Sequence, residues 1–127
     1  MRAMVVDDSR VVRLVLRRML LALGHEVYEA SSGSEALMRL AALDVDVALV
    51  DWHMDGMSGL DFIRVVRADP AHAGVRMVIV SGSADPGEMV QARDAGASAW
   101  ITKPFDVARI RGVLAELPTP AAAGGPR

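Results

Sequence analysis

The stretch that decides the fold is VDVALVDWHMDGMSG, residues 45–59. Val45, Val47, Ala48, Leu49 and Val50 form a short, almost unbroken apolar run. That is the pattern of a strand buried on both faces. The run ends at Asp51, and Gly56 and Gly59 follow it with turn chemistry. A carboxylate thus stands at the carboxyl end of a central strand, the edge at which open α/β sheets bind ligands. Asp51 is read as a nucleophile that accepts a phosphoryl group.

Segments on either side repeat the strand-then-polar pattern. AMVV (3–6) runs into Asp7 and Asp8, and Ser9 then opens a helix. Val12, Val15, Leu16, Met19 and Leu23 mark an apolar stripe on that helix, Arg10, Arg13 and Arg17 line another face, and Gly24 is its stop. HEVYEA (25–30) alternates as an edge strand. Ser32 and Glu35 have capping-box spacing before a second helix, as do Ser58 and Asp61 before a third that Asp69-Pro70 closes. RMVIVS (76–81) is a fourth strand ending in a hydroxyl. Asp85-Pro86-Gly87-Glu88 starts a fourth helix with a cap, a proline at N1 and an acid at N3. SAWIT (98–102) is a fifth strand ending at Lys103. Asp106 caps a last helix with Val107, Ile110, Leu114 and Leu117 inward. Five strand–helix alternations predict a parallel sheet covered on both faces. Residues 1–117 are read as one domain, and 118–127, without apolar period, as a disordered tail or linker stub.

Composition narrows the function classes. The chain has 127 residues, 52% hydrophobic and 24% charged, which suits one globular domain. It has no cysteine, so neither disulfides nor thiolate metal sites are open to it. No run is long and apolar enough to span a membrane, and MRAMVVDD lacks the core of a signal peptide. A cytoplasmic address is expected. Net charge is −2, and the five aromatics do not interleave with the arginines, which argues against direct nucleic-acid binding. Among 14 basic residues only Lys103 is a lysine, a compact point charge where the chain otherwise uses planar guanidinium forks.

These ends form a constellation. A parallel sheet brings Asp7, Asp8, Asp51, Ser81 and Lys103 to one edge. Two unit charges 4 Å apart repel by about 4 kcal/mol at an effective dielectric of 20, so crowded carboxylates must rise in pKa or hold a cation. All-oxygen ligation with room for water suits Mg²⁺, with Mn²⁺ as a substitute. Lys103 and the Ser81 hydroxyl would hold phosphoryl oxygens. His53 has no second His or Cys at zinc-ligand spacing.

The chain from residue 3 to about 117 resembles bacterial two-component response-regulator receiver domains of the CheY-like single-domain type. The motifs that carry the likeness are Asp7-Asp8, the D-x-x-M-x-x-M-x-G run from Asp51 to Gly59, Ser81, and Lys103-Pro104-Phe105. The resemblance implies a flavodoxin-like (βα)5 doubly wound fold with strand order 2-1-3-4-5. It implies that Asp51 is phosphorylated by a histidine kinase or phosphotransfer protein. Asp8 and Asp51 would ligate Mg²⁺ directly, Asp7 through water and His53 through its backbone carbonyl. Ser81 and Lys103 would bind the phosphoryl group, and Trp100 takes the place of the switch aromatic. Partners would read the state on the face of the fourth helix, fifth strand and fifth helix. A cis Lys103–Pro104 bond is expected.

The chain departs from the family's pattern at Asp55, where proline is common, at Gly82, where alanine is usual, and at Trp100, bulkier than the usual Tyr or Phe. His53 and Ser83 occupy positions the family uses to tune aspartyl-phosphate hydrolysis. No output domain is read after residue 117. Action by docking on a target, a flagellar motor being one candidate, is expected from a monomer or weak dimer. The alternatives are a relay to another histidine phosphotransfer protein and a pseudo-receiver that works without phosphorylation. A haloacid-dehalogenase-like phosphatase is disfavoured because His53 stands where its second Asp belongs. A flavodoxin-like FMN binder is disfavoured because Asp7-Asp8 would repel its phosphate.

Overall fold

The computed structural model describes residues 1–118. The tail expected at 118–127 lies outside the described residues except for Pro118. In chain order the elements are β1 (Arg2–Val6), α1 (Arg10–Ala22), β2 (Glu26–Ala30), α2 (Gly33–Leu40), β3 (Val47–Asp51), α3 (Gly59–Ala68), β4 (Arg76–Ser81), α4 (Pro86–Ala95), β5 (Ala99–Thr102) and α5 (Val107–Ala115). All four strand pairings are parallel, and the order is β2-β1-β3-β4-β5. A 3-10 turn at Pro70–His72, which periodicity does not reveal, follows the end of α3.

Strand side chains alternate between two cores, as the pleat requires. Met4, Val6, Ala48, Val50, Met77 and Ile79 pack with Ala36, Leu40, Phe62, Ile63, Val66 and Ala92 from α2, α3 and α4. Ala3, Val5, Val47, Leu49, Val78, Val80 and Ile101 pack with Leu16, Leu20, Ile110, Val113 and Leu114 from α1 and α5. β3 is buried at all five positions, which places it at the centre. Strong sheet burial leaves the strand ends as the places where polar groups can gather.

Several local expectations shift. Leu20 is a buried anchor of α1, whereas Val15 is 38% exposed. On α5, Val113 is buried and Val107, in the first turn, is 39% exposed. Ser58 and Asp61 form the full capping box. Glu35 instead accepts from the N–H and hydroxyl of Ser31, so that box is displaced by one residue. His25 and His72 are both half-buried. Burial, then the nearby α-ammonium, pulls the His25 pKa below its usual range. The Arg67 guanidinium donates twice to the Gly96 carbonyl and once to that of His72, tying α3 to the end of α4. The Lys103–Pro104 bond is cis.

One glycine fixes the route from β3 into α3. The Gly59 N–H donates to the Trp52 carbonyl at 3.0 Å. A Cβ at Gly59 would lie 2.5 Å from the Asp51 carbonyl oxygen and 2.9 Å from the Trp52 Cα. Those are backbone atoms that cannot yield cheaply. Gly59→Ala is expected to destabilise the fold by about 1–3 kcal/mol, the range for overpacking, read as a lower urea midpoint at unchanged slope.

Candidate functional site at the carboxyl edge of the sheet

Register sets the site. Val6 lies opposite Val50, so Asp7 follows beside Asp51. Asp51 pairs with Val80, which puts Ser81 one step beyond, and Ser81 pairs with Thr102, which puts Lys103 one step beyond that. The Lys103 N–H donates to the Ser81 carbonyl at 2.7 Å and prolongs the β4–β5 ladder to the rim. The Asp7 N–H donates to the Ala30 carbonyl at 3.1 Å and does the same between β1 and β2.

The acids meet. Carboxylate oxygens of Asp7, Asp8 and Asp51 all lie within 4.8 Å of one another. Asp7 and Asp51 are buried and Asp8 is exposed. Lys103 Nζ stands 3.8 Å from Asp7 Oδ2 and 3.8 Å from Asp51 Oδ1. One ammonium therefore faces two of the three carboxylates. Burial, above all, pushes the Asp7 pKa up, and Asp8 adds to it, while the Ser9 N–H and Lys103 oppose it. The Asp51 pKa is raised by burial first and by the charge of Asp7 next, with Lys103 opposing.

The donor set has an opening for a hard cation. Asp7 Oδ1 accepts from the Ser9 N–H at 2.8 Å, but Asp7 Oδ2 is buried with no hydrogen-bond partner. An orphaned buried carboxylate oxygen is costly unless something positive reaches it. Lys103 at 3.8 Å is beyond hydrogen-bond distance. Oxygen ligands from two buried acids and an exposed one fit an ion that keeps several waters.

The other expected site residues fall around this cluster. Ser81 is fully buried, and its Oγ accepts from the Ser83 N–H at 3.1 Å. His53 is exposed, with Nε2 3.8 Å from a Glu88 oxygen. Trp100 is half-buried; its indole N–H donates to the Ser83 carbonyl at 3.0 Å. Its ring lies 5.2 Å from that of Trp52 at 55°. Asp55 is exposed and stays out of the acid cluster.

Two residues that sequence reading passed over also shape the rim. Arg13 Nη1 donates to the Asp7 carbonyl at 2.6 Å and Arg13 Nε pairs with Glu29 at 3.4 Å, so α1 clamps the end of β1. Glu88 accepts from the Trp52 indole at 2.7 Å and from the Ser83 hydroxyl at 2.9 Å. The first had a signal in the arginine spacing along α1. The second had none, since an acid at N3 already has a local explanation.

Known proteins are similar to this chain in sequence and fold. The profile described as "Response regulator receiver domain" matches residues 3–115. The chemotaxis protein CheY1 of Helicobacter pylori is 37% identical over 107 residues, covering 83% of this chain and 86% of that protein. The sensory/regulatory protein RpfC of Xanthomonas campestris is 36% identical over 120 residues, 92% of this chain but 16% of RpfC, so the chain spans a small part of that relative's length. Among solved structures, the chemotaxis protein CheY4 of Vibrio cholerae superposes with a TM-score of 0.88 at 26% identity, covering 92% of this chain and 98% of CheY4. With its parallel order, its acid edge and this match, the chain belongs to the response regulator receiver domain family of two-component signalling.

Proposed function

We propose that the chain is a phosphorylation switch in which Asp51 accepts a phosphoryl group from a histidine kinase or phosphotransfer protein. The observation that carries the reading is the pairing of an orphaned Asp7 oxygen with a lone ammonium equidistant from Asp7 and Asp51. Such a rim has anionic oxygens to spare and one mobile cation to stabilise incoming charge.

In the transfer, an Asp51 oxygen attacks the phosphorus of a phosphohistidine. The O–P bond forms as the P–N bond breaks, and the electron pair leaves on the imidazole nitrogen, which takes a proton from water. Lys103 swings its ammonium from carboxylates to a phosphoryl oxygen. The Ser81 Oγ, already an acceptor for the Ser83 N–H, keeps its own hydrogen to donate to another. Asp7, Asp8, Asp51 and the His53 carbonyl would hold Mg²⁺ or Mn²⁺. When bound, the ion offsets the clustered negative charge and that of the phosphoryl oxygens. Attack of water on the phosphorus later frees phosphate and restores the Asp51 carboxylate.

Signal output follows from differential contacts in the two states. Ser81 and Trp100 are both tied to Ser83, so a change at the Ser81 hydroxyl reaches the face formed by α4, β5 and α5. A target protein docked on that face would read the state.

Two outcomes are expected. Wild-type protein given Mg²⁺ and acetyl phosphate should gain one phosphoryl group by intact mass. Asp51→Asn should gain none, and Lys103→Ala should lose at least about tenfold in rate for want of one charge-assisted contact. Wild type that stays unmodified would overturn the proposal.

The second outcome concerns pH and metal. Raised folded pKa values mean that ionising Asp7 and Asp51 opposes folding. Their contribution to stability is full below the ordinary value of 3.8 and is lost as pH rises through the raised values. In chelator at neutral pH, Asp51→Asn should therefore melt above wild type, and the gap should close in acid. Mg²⁺ at a hundred times Kd should stabilise wild type by about 2.7 kcal/mol. A wild-type melt indifferent to Mg²⁺ counts against the site.

A further inference from the structure

Glu88, in the first turn of α4, is a carboxylate outside the acid cluster. Its backbone N–H donates to the capping Asp85 at 2.9 Å, so the helix end is already served. The side chain turns toward the sheet edge. Oε2 accepts from Trp52 Nε1 at 2.7 Å and Oε1 from the Ser83 hydroxyl at 2.9 Å. Trp52 directly follows Asp51, and Ser83 lies two residues past Ser81. One carboxylate thus bridges the loops that leave the two central strands.

Ser83 carries that bridge further, because each of its polar groups is engaged. Its N–H donates to Ser81 Oγ at 3.1 Å and its carbonyl accepts from Trp100 at 3.0 Å. Its hydroxyl accepts from the Asp85 N–H at 3.1 Å and donates to Glu88. Apolar packing does little to hold this helix start. Ala92 is the one fully buried residue of α4, and Met89 and Val90 are 38% and 44% exposed. Removing the carboxylate would strand the Trp52 N–H, on a side chain only 5% exposed, without its acceptor. Buried donors do not stay unpaired cheaply, so the Trp52 ring and the Ser83 loop would shift while the backbone of β3 keeps its place in the sheet.

We propose that Glu88 is a positioning residue for phosphoryl transfer. It fixes, through Ser83, the direction of the Ser81 hydroxyl and the seat of Trp100 against Trp52. The proposal rests on the reading of Asp51 as phosphoacceptor. A carboxylate with a merely structural role would alter the melting temperature and leave affinity at the rim unchanged. A positioning carboxylate alters the affinity for a phosphoryl group without altering that for the metal alone.

The test uses the full chain as wild type, Glu88→Ala and Glu88→Gln. Each is titrated with Mg²⁺ alone and then with beryllofluoride plus Mg²⁺, beryllofluoride on a carboxylate standing in for the phosphoryl group. Tryptophan fluorescence is the readout. Gln keeps a carbonyl for Trp52 and an amide that can donate to Ser83, so its geometry is conserved. Glu88→Ala loses both hydrogen bonds to the carboxylate and should bind beryllofluoride about tenfold more weakly. Glu88→Gln should stay within about threefold of wild type, and Mg²⁺ affinity should be the same in all three. Should Glu88→Ala not fold, Trp52→Phe keeps an aromatic ring and removes the donor, and it should weaken beryllofluoride in the same direction. Wild-type beryllofluoride affinity in the Ala variant, or in Trp52→Phe when that is the variant used, overturns the positioning role. Wild type that binds no beryllofluoride sinks the phosphoacceptor reading instead.

Discussion

Like charges forced together at the end of a parallel sheet are the constraint on which this molecule turns. Backbone register, not side-chain attraction, brings Asp7 beside Asp51, and both are buried there. Their repulsion and desolvation are costs the fold carries because β1 and β3 are locked between two apolar cores. The raised pKa values of both acids express that cost. A site held in this way is poised to gain from whatever positive or charge-spreading group arrives, which is how local strain at functional positions becomes useful.

Much of this was legible from residue order because strand ends are punctuated. A buried run that stops at Asp, Ser or Lys identifies both the strand and the edge, and four such runs, with the alternating β2 among them and a helix after each strand, imply the parallel sheet. Asp7, Asp8, Asp51 and Lys103 converge as their positions after strands require. Helix faces were harder. α1 carries Val11, Val12, Leu14, Val15, Leu16, Met19, Leu20 and Leu21, apolar almost all round. Period alone could not choose between Val15 and Leu20. The choice was made by α5 and the sheet, which bury Leu16 and Leu20.

Contacts between distant segments were out of reach for a different reason. Glu88 has a sufficient local role at the start of α4, and nothing in its neighbourhood points to Trp52, 36 residues earlier. Arg67 looks like an ordinary helix arginine, yet its guanidinium closes on a carbonyl 29 residues away. Burial lowers its pKa, and backbone oxygens satisfy it. Such side-chain-to-loop links depend on how loops settle over the finished sheet, which periodicity does not encode.

The arginine-for-lysine habit of this chain has a practical corollary. Lys103 carries the only side-chain amine in the 127 residues, and it is 30% exposed beside the acid pair. Apart from the α-amine, acylating or imine-forming reagents, which guanidinium groups resist, therefore find their single side-chain target at the acid rim itself. Chemistry that on most proteins would decorate the surface at random becomes, on this one, a site-directed probe.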